Sequence, residues 1–197
     1  MGQAIWLVRH GQTPANLEGR FAGRTPEPLS PEGRRQALEA GKLLRGRGIG
    51  RIYASPLRRT METAALIRQG LGEEGLEIVP DESFLEINIP PWEGRRREEL
   101  LADPGLGYLT WRRAPHLFAL PGCETLRQVQ ERAVRRALSL LEGEEVPLVV
   151  THMAVVRVLL CHFMGLALAA YRSIAVPNAR PFLVRREGEG FRVEGPL

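Results

Sequence analysis

The sequence predicts an α/β fold in which a mostly parallel central sheet carries helices on both faces, a three-layer α/β/α sandwich spanning residues 1–197 as one domain. Two observations lead there. The apolar runs Ala4-Ile5-Trp6-Leu7-Val8 and Pro147-Leu148-Val149-Val150 each read as a strand buried on both faces, and each ends in polar residues, Arg9-His10-Gly11 and Thr151-His152. Between them, segments of helical period alternate with short apolar runs, the pattern of βαβ units. Open sheets of this kind bind ligands beyond the carboxyl ends of their strands. Two imidazoles and a guanidinium are therefore expected to meet in one cleft.

Each element has its own signal. The first strand covers about 3–9 and leads into a long polar loop from Gln12 to Pro26, rich in turn residues. Ser30-Pro31-Glu32 supplies an N-cap followed by proline at the first helical position, and Ala37, Leu38, Ala40, Gly41 and Leu44 form the apolar stripe up to Gly46. Arg51-Ile52-Tyr53-Ala54 reads as a strand, and Ser55-Pro56 opens a helix carrying Met61, Ala64, Ala65, Leu66 and Ile67. Leu76-Glu77-Ile78-Val79 is a further strand, placed at an edge because Pro80 follows it.

The segment 95–122 has no clean period and is read as a helical and loop insertion overhanging the cleft, with Arg95, Tyr108, Trp111, Arg112, Arg113 and His116 as candidates for touching a ligand. Thr125 with Gln128 is a capping box opening a helix on Leu126, Val129, Ala133, Ala137 and Leu141. A strand over 146–151 and an apolar helix from Val155 to Phe163 follow, and Ser173–Val176 with Arg180–Arg185 reads as a closing strand pair, Arg180-Pro181-Phe182 standing at an edge.

Composition narrows the function classes. At 197 residues and 44% hydrophobic, the chain suits one core. The formal charge is +4, and Lys42 is the only lysine, so nearly all positive charge is arginine, the better bidentate binder of phosphate. Cys123 and Cys161 lie far apart and outside any metal or redox spacing, which implies neither a metal nor a disulfide framework. A strand within a few residues of Met1 leaves no room for a secretory signal, and no apolar run reaches spanning length, so a cytoplasmic protein with no membrane partner is expected. Arg95-Arg96-Arg97 is too short, and too poor in interleaved aromatics, for a nucleic-acid surface.

A histidine at a strand end beside an arginine suits attack on phosphorus, since neutral imidazole is nucleophilic and guanidinium neutralises phosphoryl oxygens. His10 is the candidate nucleophile. Arg58, in the first turn of a helix straight after a strand, opposes the helix dipole, a placement that a bound phosphate would offset; its neighbour Arg59 reads as a solvated surface arginine. A leaving alkoxide needs a proton from a carboxylic acid of raised pKa. Glu86, among Phe84, Leu85 and Ile87, fits that need, whereas Glu82 and Glu93 read as cap and loop residues.

Arg9-His10-Gly11-Gln12-Thr13 with Asn16, then Gly19 to Arg24 and Pro28 to Ala37, resembles the opening of the histidine phosphatase superfamily, the phosphoglycerate mutase-like proteins. Tyr53 to Ala64, Leu85-Glu86-Ile87 with Trp92-Glu93-Gly94, Gly122-Cys123-Glu124-Thr125 and Val149-Val150-Thr151-His152 resemble its later blocks in order. The resemblance implies a phosphoglycerate mutase-like fold and metal-independent, cofactor-free hydrolysis of a small phosphorylated metabolite. His10 would take the phosphoryl group, Arg9, Arg58 and His152 would hold its oxygens, and Glu86 would serve as acid and base. Asn16, Gly23 and Met153 would bind substrate. Gln12, Ala22 and Met153-Ala154 depart from the family's usual residues, and Ala22 forfeits one phosphate donor.

Mutases of this family generally enclose their intermediate with a longer insertion and a longer tail. The compact chain therefore points to a phosphatase, with a cofactor-dependent phosphoglycerate mutase as runner-up and an inactive phosphate-binding or interaction module as a third reading. Many relatives dimerise, so a homodimer is a further expectation.

Overall fold

The computed structural model describes residues 4–197; Gln3, where the first strand is expected to begin, lies outside the described residues. Six strands form one sheet in the order β3-β2-β4-β1-β5-β6. These are β1 (Ala4–Arg9), β2 (Ile49–Ala54), β3 (Ile78–Pro80), β4 (Val146–Thr151), β5 (Pro181–Glu187) and β6 (Gly190–Glu194). The first four are parallel, and β5 and β6 run antiparallel beside β1. The edge position of β3 agrees with its proline. β5, however, is an interior strand between β1 and β6, and 173–176 adopts a 3-10 turn over Leu168–Ser173 and then irregular backbone, not a strand. The strand pair is instead a β5–β6 hairpin, whose partner sequence beyond Gly188 is mostly exposed and lacks the apolar run by which a buried strand is recognised.

Side chains alternate across the sheet even where every residue is apolar. Ile5 and Leu7 of β1 face one layer, while Trp6 and Val8 face the other. On the second face pack α2 (Pro31–Leu43) and α3 (Arg58–Leu71), through Ala40, Leu44, Ala64 and Ile67. On the first face pack α6 (Leu126–Leu141) and α7 (Met153–Phe163), through Val129, Ala133, Val155 and Leu159. Burying each large aliphatic side chain here contributes about 1.5–3 kcal/mol. Among the described residues no helix is long and apolar enough to cross a membrane.

The caps follow the sequence. The Ser30 hydroxyl accepts from the Gly33 N–H with Pro31 behind it, and Thr125 and Gln128 close a reciprocal box on α6. The polar loop after β1 contains a helix the turn residues did not suggest, α1 (Pro14–Glu18), capped by Thr13 and Asn16. Segment 95–122 folds as α4 (Arg97–Ala102), α5 (Tyr108–Arg113) and short 3-10 turns. An aromatic cluster of Trp92, Tyr108, Trp111 and Phe118, with ring centroids 5.0–5.6 Å apart, fixes it on the first face.

Adjacent strands β1 and β4 hand the chain to opposite faces, β1 toward α2 and β4 toward α7, which opens a crevice between their carboxyl ends. The second-face helices come into near backbone contact: a Cβ on Gly41 would meet the Ile67 carbonyl and sit 2.8 Å from the Gly70 Cα. Gly41→Ala is therefore expected to lower stability by about 1–3 kcal/mol through overpacking, read as a lower Tm, while leaving phosphate affinity unchanged because the contact lies away from the cleft.

Candidate functional site

Beyond the strand ends lies a cleft of about 510 Å³ lined by Arg9, His10, Asn16, Gly23, Glu86 and Met153 among others. Six of the eight residues singled out in the sequence therefore share one space. The other two, Arg58 and His152, do not line it.

His10 follows β1 and is 5% exposed. Its backbone is pinned on both sides, the N–H donating to the Thr151 carbonyl (2.8 Å) and the carbonyl accepting from the Asn178 side chain (2.9 Å). Nδ1 lies 2.7 Å from the Gly11 carbonyl. A carbonyl can only accept, so the proton sits on Nδ1 and the lone pair on Nε2 is left for the cleft. Burial first, then the nearby Arg59 and Arg9 charges, hold the His10 pKa well below the ordinary histidine value, so the ring is neutral at pH 7.

His152 is fully buried behind this ring, with centroids 5.3 Å apart. Its Nδ1 accepts from Arg59 Nη2 at 3.1 Å, and its Nε2–H therefore donates to Ser55 Oγ at 2.8 Å. The expectation that His152 itself holds phosphoryl oxygens is not met in this arrangement, because both ring nitrogens are engaged within the protein. What the ring does is fix a guanidinium.

That guanidinium belongs to Arg59, not Arg58. Arg58, the first residue of α3, is exposed, whereas Arg59 is 2% exposed and lines the cleft. The cause is helical phase. Arg59 falls on the stripe continued by Thr63 and Ile67, four and eight residues on, while Arg58 falls with Ala65 and Gln69 on the solvent side. Periodicity could have separated the two. Leu57 and Arg58, at the N-terminus of α3 where a bound phosphate was expected, stand outside the cleft, whereas Met153 and Ala154, in the first turn of α7, line it.

Arg59 donates to the Gly23 carbonyl at 2.6 Å and the Thr25 carbonyl at 3.1 Å. Arg9 donates to the Val176 carbonyl at 3.0 Å. A carbonyl orients a guanidinium without neutralising it, so both keep a full charge facing the cleft; burial lowers Arg9 to about 10, still protonated at neutral pH. Glu93, read from sequence as a loop residue, supports this arrangement by accepting from the Arg24 N–H at 2.7 Å, the Thr25 N–H at 3.3 Å and the Thr25 hydroxyl, which holds the loop through Gly23. A side chain at Gly23 would meet the Glu93 carboxylate 2.5 Å away.

Glu86 sits on the loop after β3. Burial raises its pKa above the usual carboxylate range, opposed by the Ile87 N–H and the Arg59 and Arg9 charges. The loop is clamped: Arg132 of α6 donates to the carbonyls of Ser83 (2.8 Å) and Leu85 (2.7 Å), and the Thr151 hydroxyl donates to that of Phe84 (2.6 Å). Glu124 pairs with Arg132 at 2.7 Å and accepts from the Asn88 N–H at 3.1 Å. Asn16 accepts from Asn178 at 3.3 Å, which joins α1 to the strand end.

Sequence reasoning also missed Arg157, Tyr171 and Arg172, which line the outer cleft. Of the residues suggested from 95–122, Tyr108, Trp111 and Arg112 line it, whereas Arg95, Arg113 and His116 do not. Among the described residues no three His, Cys, Asp or Glu side chains gather as a metal site, and the concentrated charge is guanidinium. The arrangement presents a neutral imidazole nitrogen, two fixed cations and a carboxyl of raised pKa to one ligand. Arg59→Ala is expected to weaken inorganic phosphate binding by about tenfold or more, the worth of a lost charge-assisted hydrogen bond, whereas Arg58→Ala leaves it unchanged; calorimetric titration reads both.

Comparison with known proteins agrees with this geometry. The chain is 31% identical over 181 residues to the probable phosphoglycerate mutase GpmB of Salmonella paratyphi B, covering 88% of this chain and 80% of that one. Among solved structures, YhfR of Bacillus stearothermophilus superposes with a TM-score of 0.89 at 30% identity, covering 96% of this chain and 94% of that one. A putative alpha-ribazole-5'-P phosphatase from Escherichia coli superposes with a TM-score of 0.85 at 25% identity, covering 97% and 94%. The sequence itself matches the histidine phosphatase superfamily (branch 1) over residues 5–196, with the six-stranded fold and the paired strand-end histidines set out above, and the chain belongs to that family.

Proposed function

We propose that this chain is a metal-independent phosphomonoester phosphatase that works through a phosphohistidine. The observation that carries the reading is the state of His10: neutral, protonated on Nδ1, its Nε2 free beside Arg9 and Arg59 in the cleft that also holds Glu86. The His10 Nε2 lone pair forms a bond to phosphorus as the phosphorus–oxygen ester bond breaks, and the Glu86 proton passes to the leaving oxygen. Arg9 and Arg59 take up the charge on the transferring oxygens, with Asn16, Gly23 and Met153 around them, and His152 keeps Arg59 in place. Glu86, now a carboxylate, removes a proton from water as its oxygen attacks phosphorus. The phosphorus–nitrogen bond breaks, releasing phosphate and restoring both residues. The reading includes a small phosphorylated metabolite as substrate, no cofactor and a cytoplasmic setting.

A phosphoglycerate mutase is the second reading, favoured by the likeness to a probable phosphoglycerate mutase. The two differ in whether water or a second hydroxyl receives the phosphoryl group. Incubating the protein without metal with 3-phosphoglycerate and other phosphomonoesters, and resolving free phosphate from 2-phosphoglycerate, separates them. Phosphate release that disappears in His10→Ala is expected; predominant 2-phosphoglycerate overturns the phosphatase reading.

Acid catalysis by Glu86 has its own signature. Glu86→Gln is expected to slow phosphoryl transfer from alkyl phosphates by about 10²–10⁴-fold, and far less from p-nitrophenyl phosphate, whose leaving phenolate needs no proton. His10 must be neutral and Glu86 protonated, so kcat/KM should fall below the depressed His10 pKa and again above the raised Glu86 pKa. In Glu86→Gln the alkaline fall assigned to that carboxyl should vanish; equal losses on both substrates, with both limbs intact, would count against the role.

A further inference from the structure

The strand that carries His10 is braced from the far end of the chain. Residues 176–179, irregular backbone between the turn at Leu168–Ser173 and β5, meet the end of β1 and α1 through four hydrogen bonds. The Val176 carbonyl accepts from Arg9 Nη1 at 3.0 Å. The Asn178 side-chain amide donates to the His10 carbonyl at 2.9 Å and to Asn16 Oδ1 at 3.3 Å. The Ala179 N–H donates to the Arg9 carbonyl at 2.9 Å. Ala179 is buried with φ 50°, the left-handed region that a residue with a Cβ rarely enters. Such a conformation persists only where its surroundings over-determine it, and here it lies between the Asn178 contacts and the first residue of β5.

These contacts bear on a ligand through Asn16. A carboxamide accepts at one end and donates at the other, and its partners decide which way round it lies. The His10 carbonyl can only accept, so it fixes Asn178 with Nδ2 toward β1 and α1. Asn178 Nδ2 can only donate, as can the Thr13 N–H at 3.2 Å, so together they fix Oδ1 of Asn16 on the protein side. Asn16 Nδ2 donates to no protein group among the described residues, and Asn16 lines the cleft. Turned over, the Asn16 amide would set its own donor against two others and offer an oxygen to an incoming anion.

We propose that Asn178 is a positioning residue: it locks the Asn16 amide with its Nδ2 donors toward the cleft, which makes Asn16 a donor to a bound phosphoryl oxygen, and it braces the carbonyl of His10 at the same time. The inference rests on the reading of the cleft as a phosphoryl site and deepens it. Asn178 does not line the cleft, so its effect reaches an anion through Asn16 and the His10 backbone alone. It stands 162 residues from Asn16 in sequence, so the last part of the chain orients a donor supplied by the first.

The test measures inorganic phosphate binding by calorimetry to the wild type, Asn178→Leu, Asn16→Ala and the double variant. Leucine keeps the size of asparagine and removes its donors. Asn16→Ala is expected to weaken binding about tenfold, the worth of one charge-assisted hydrogen bond. Asn178→Leu should cost about threefold to tenfold in the wild-type background but less than about twofold in Asn16→Ala, because the amide it orients is then gone. No loss in Asn178→Leu, or the same factor in both backgrounds, as a merely structural role would give, overturns the inference. A second measurement needs no change at residue 178. In isotope-labelled wild type, the Asn16 side-chain amide resonances, identified by their absence from Asn16→Ala, should shift as phosphate is added; resonances that stay still while phosphate binds overturn the inference as well. Both readouts follow anion binding, not turnover. Coupling between the two asparagines in a wild type that releases no phosphate from monoesters would support the positioning role and remove the phosphatase reading alone, whereas hydrolysis without coupling would remove the positioning role alone.

Discussion

Arg59 enters the interior without a direct ion pair, because its N–H groups end on two backbone carbonyls and an imidazole nitrogen. Much of the cleft follows from that choice. The carbonyls belong to Gly23 and Thr25, so the loop after α1 must stay where Glu93 holds it. The imidazole must accept at Nδ1, so His152 carries its proton on Nε2 and requires the Ser55 hydroxyl as partner. Arg9 repeats the device on Val176, and Arg157 and Arg172 repeat it further out. A buried ion pair would have been self-satisfied and indifferent to anions; a guanidinium held by dipoles stays hungry for one.

The same fields set the two histidines. Each is buried beside cations, so each is neutral, yet they are opposite tautomers because one faces a carbonyl and the other an arginine. Neutrality leaves His10 with a free lone pair, and the tautomer decides which nitrogen carries it. Both assignments come from the neighbours' hydrogen-bonding capacity, not from the imidazoles themselves.

Much of this was legible in the residues. The apolar runs ending in Arg9-His10 and Thr151-His152 gave adjacent parallel strands in register, Arg9 beside Thr151. Capping serine and threonine placed α2 and α6, and the apolar surroundings of Glu86 anticipated its raised pKa. Adjacent arginines defeated the reading of α3, since residue type cannot distinguish Arg58 from Arg59 and only the phase of the buried stripe does. His152 was rightly drawn to the strand end, but the local sequence could not show that Arg59 and Ser55 would occupy both its nitrogens. Arg157, Tyr171 and Arg172 escaped notice because they converge on the cleft only once α7 and the turn after it are docked. The strand pair at the chain's end was misplaced because β6, exposed at the sheet edge, has no need of an apolar run.

The clamp on the loop bearing Glu86 has a kinetic meaning. Arg132 and Thr151 hold three consecutive carbonyls of that loop from two different core elements, a helix and a central strand. The carboxyl thus inherits the rigidity of the sheet although it stands on a loop. A ligand entering the cleft finds that carboxyl already stationed, and little conformational freedom has to be surrendered at that moment. On the proposed reading, turnover would then be governed by arrival and departure through the mouth of the cleft more than by rearrangement of the loop beneath it.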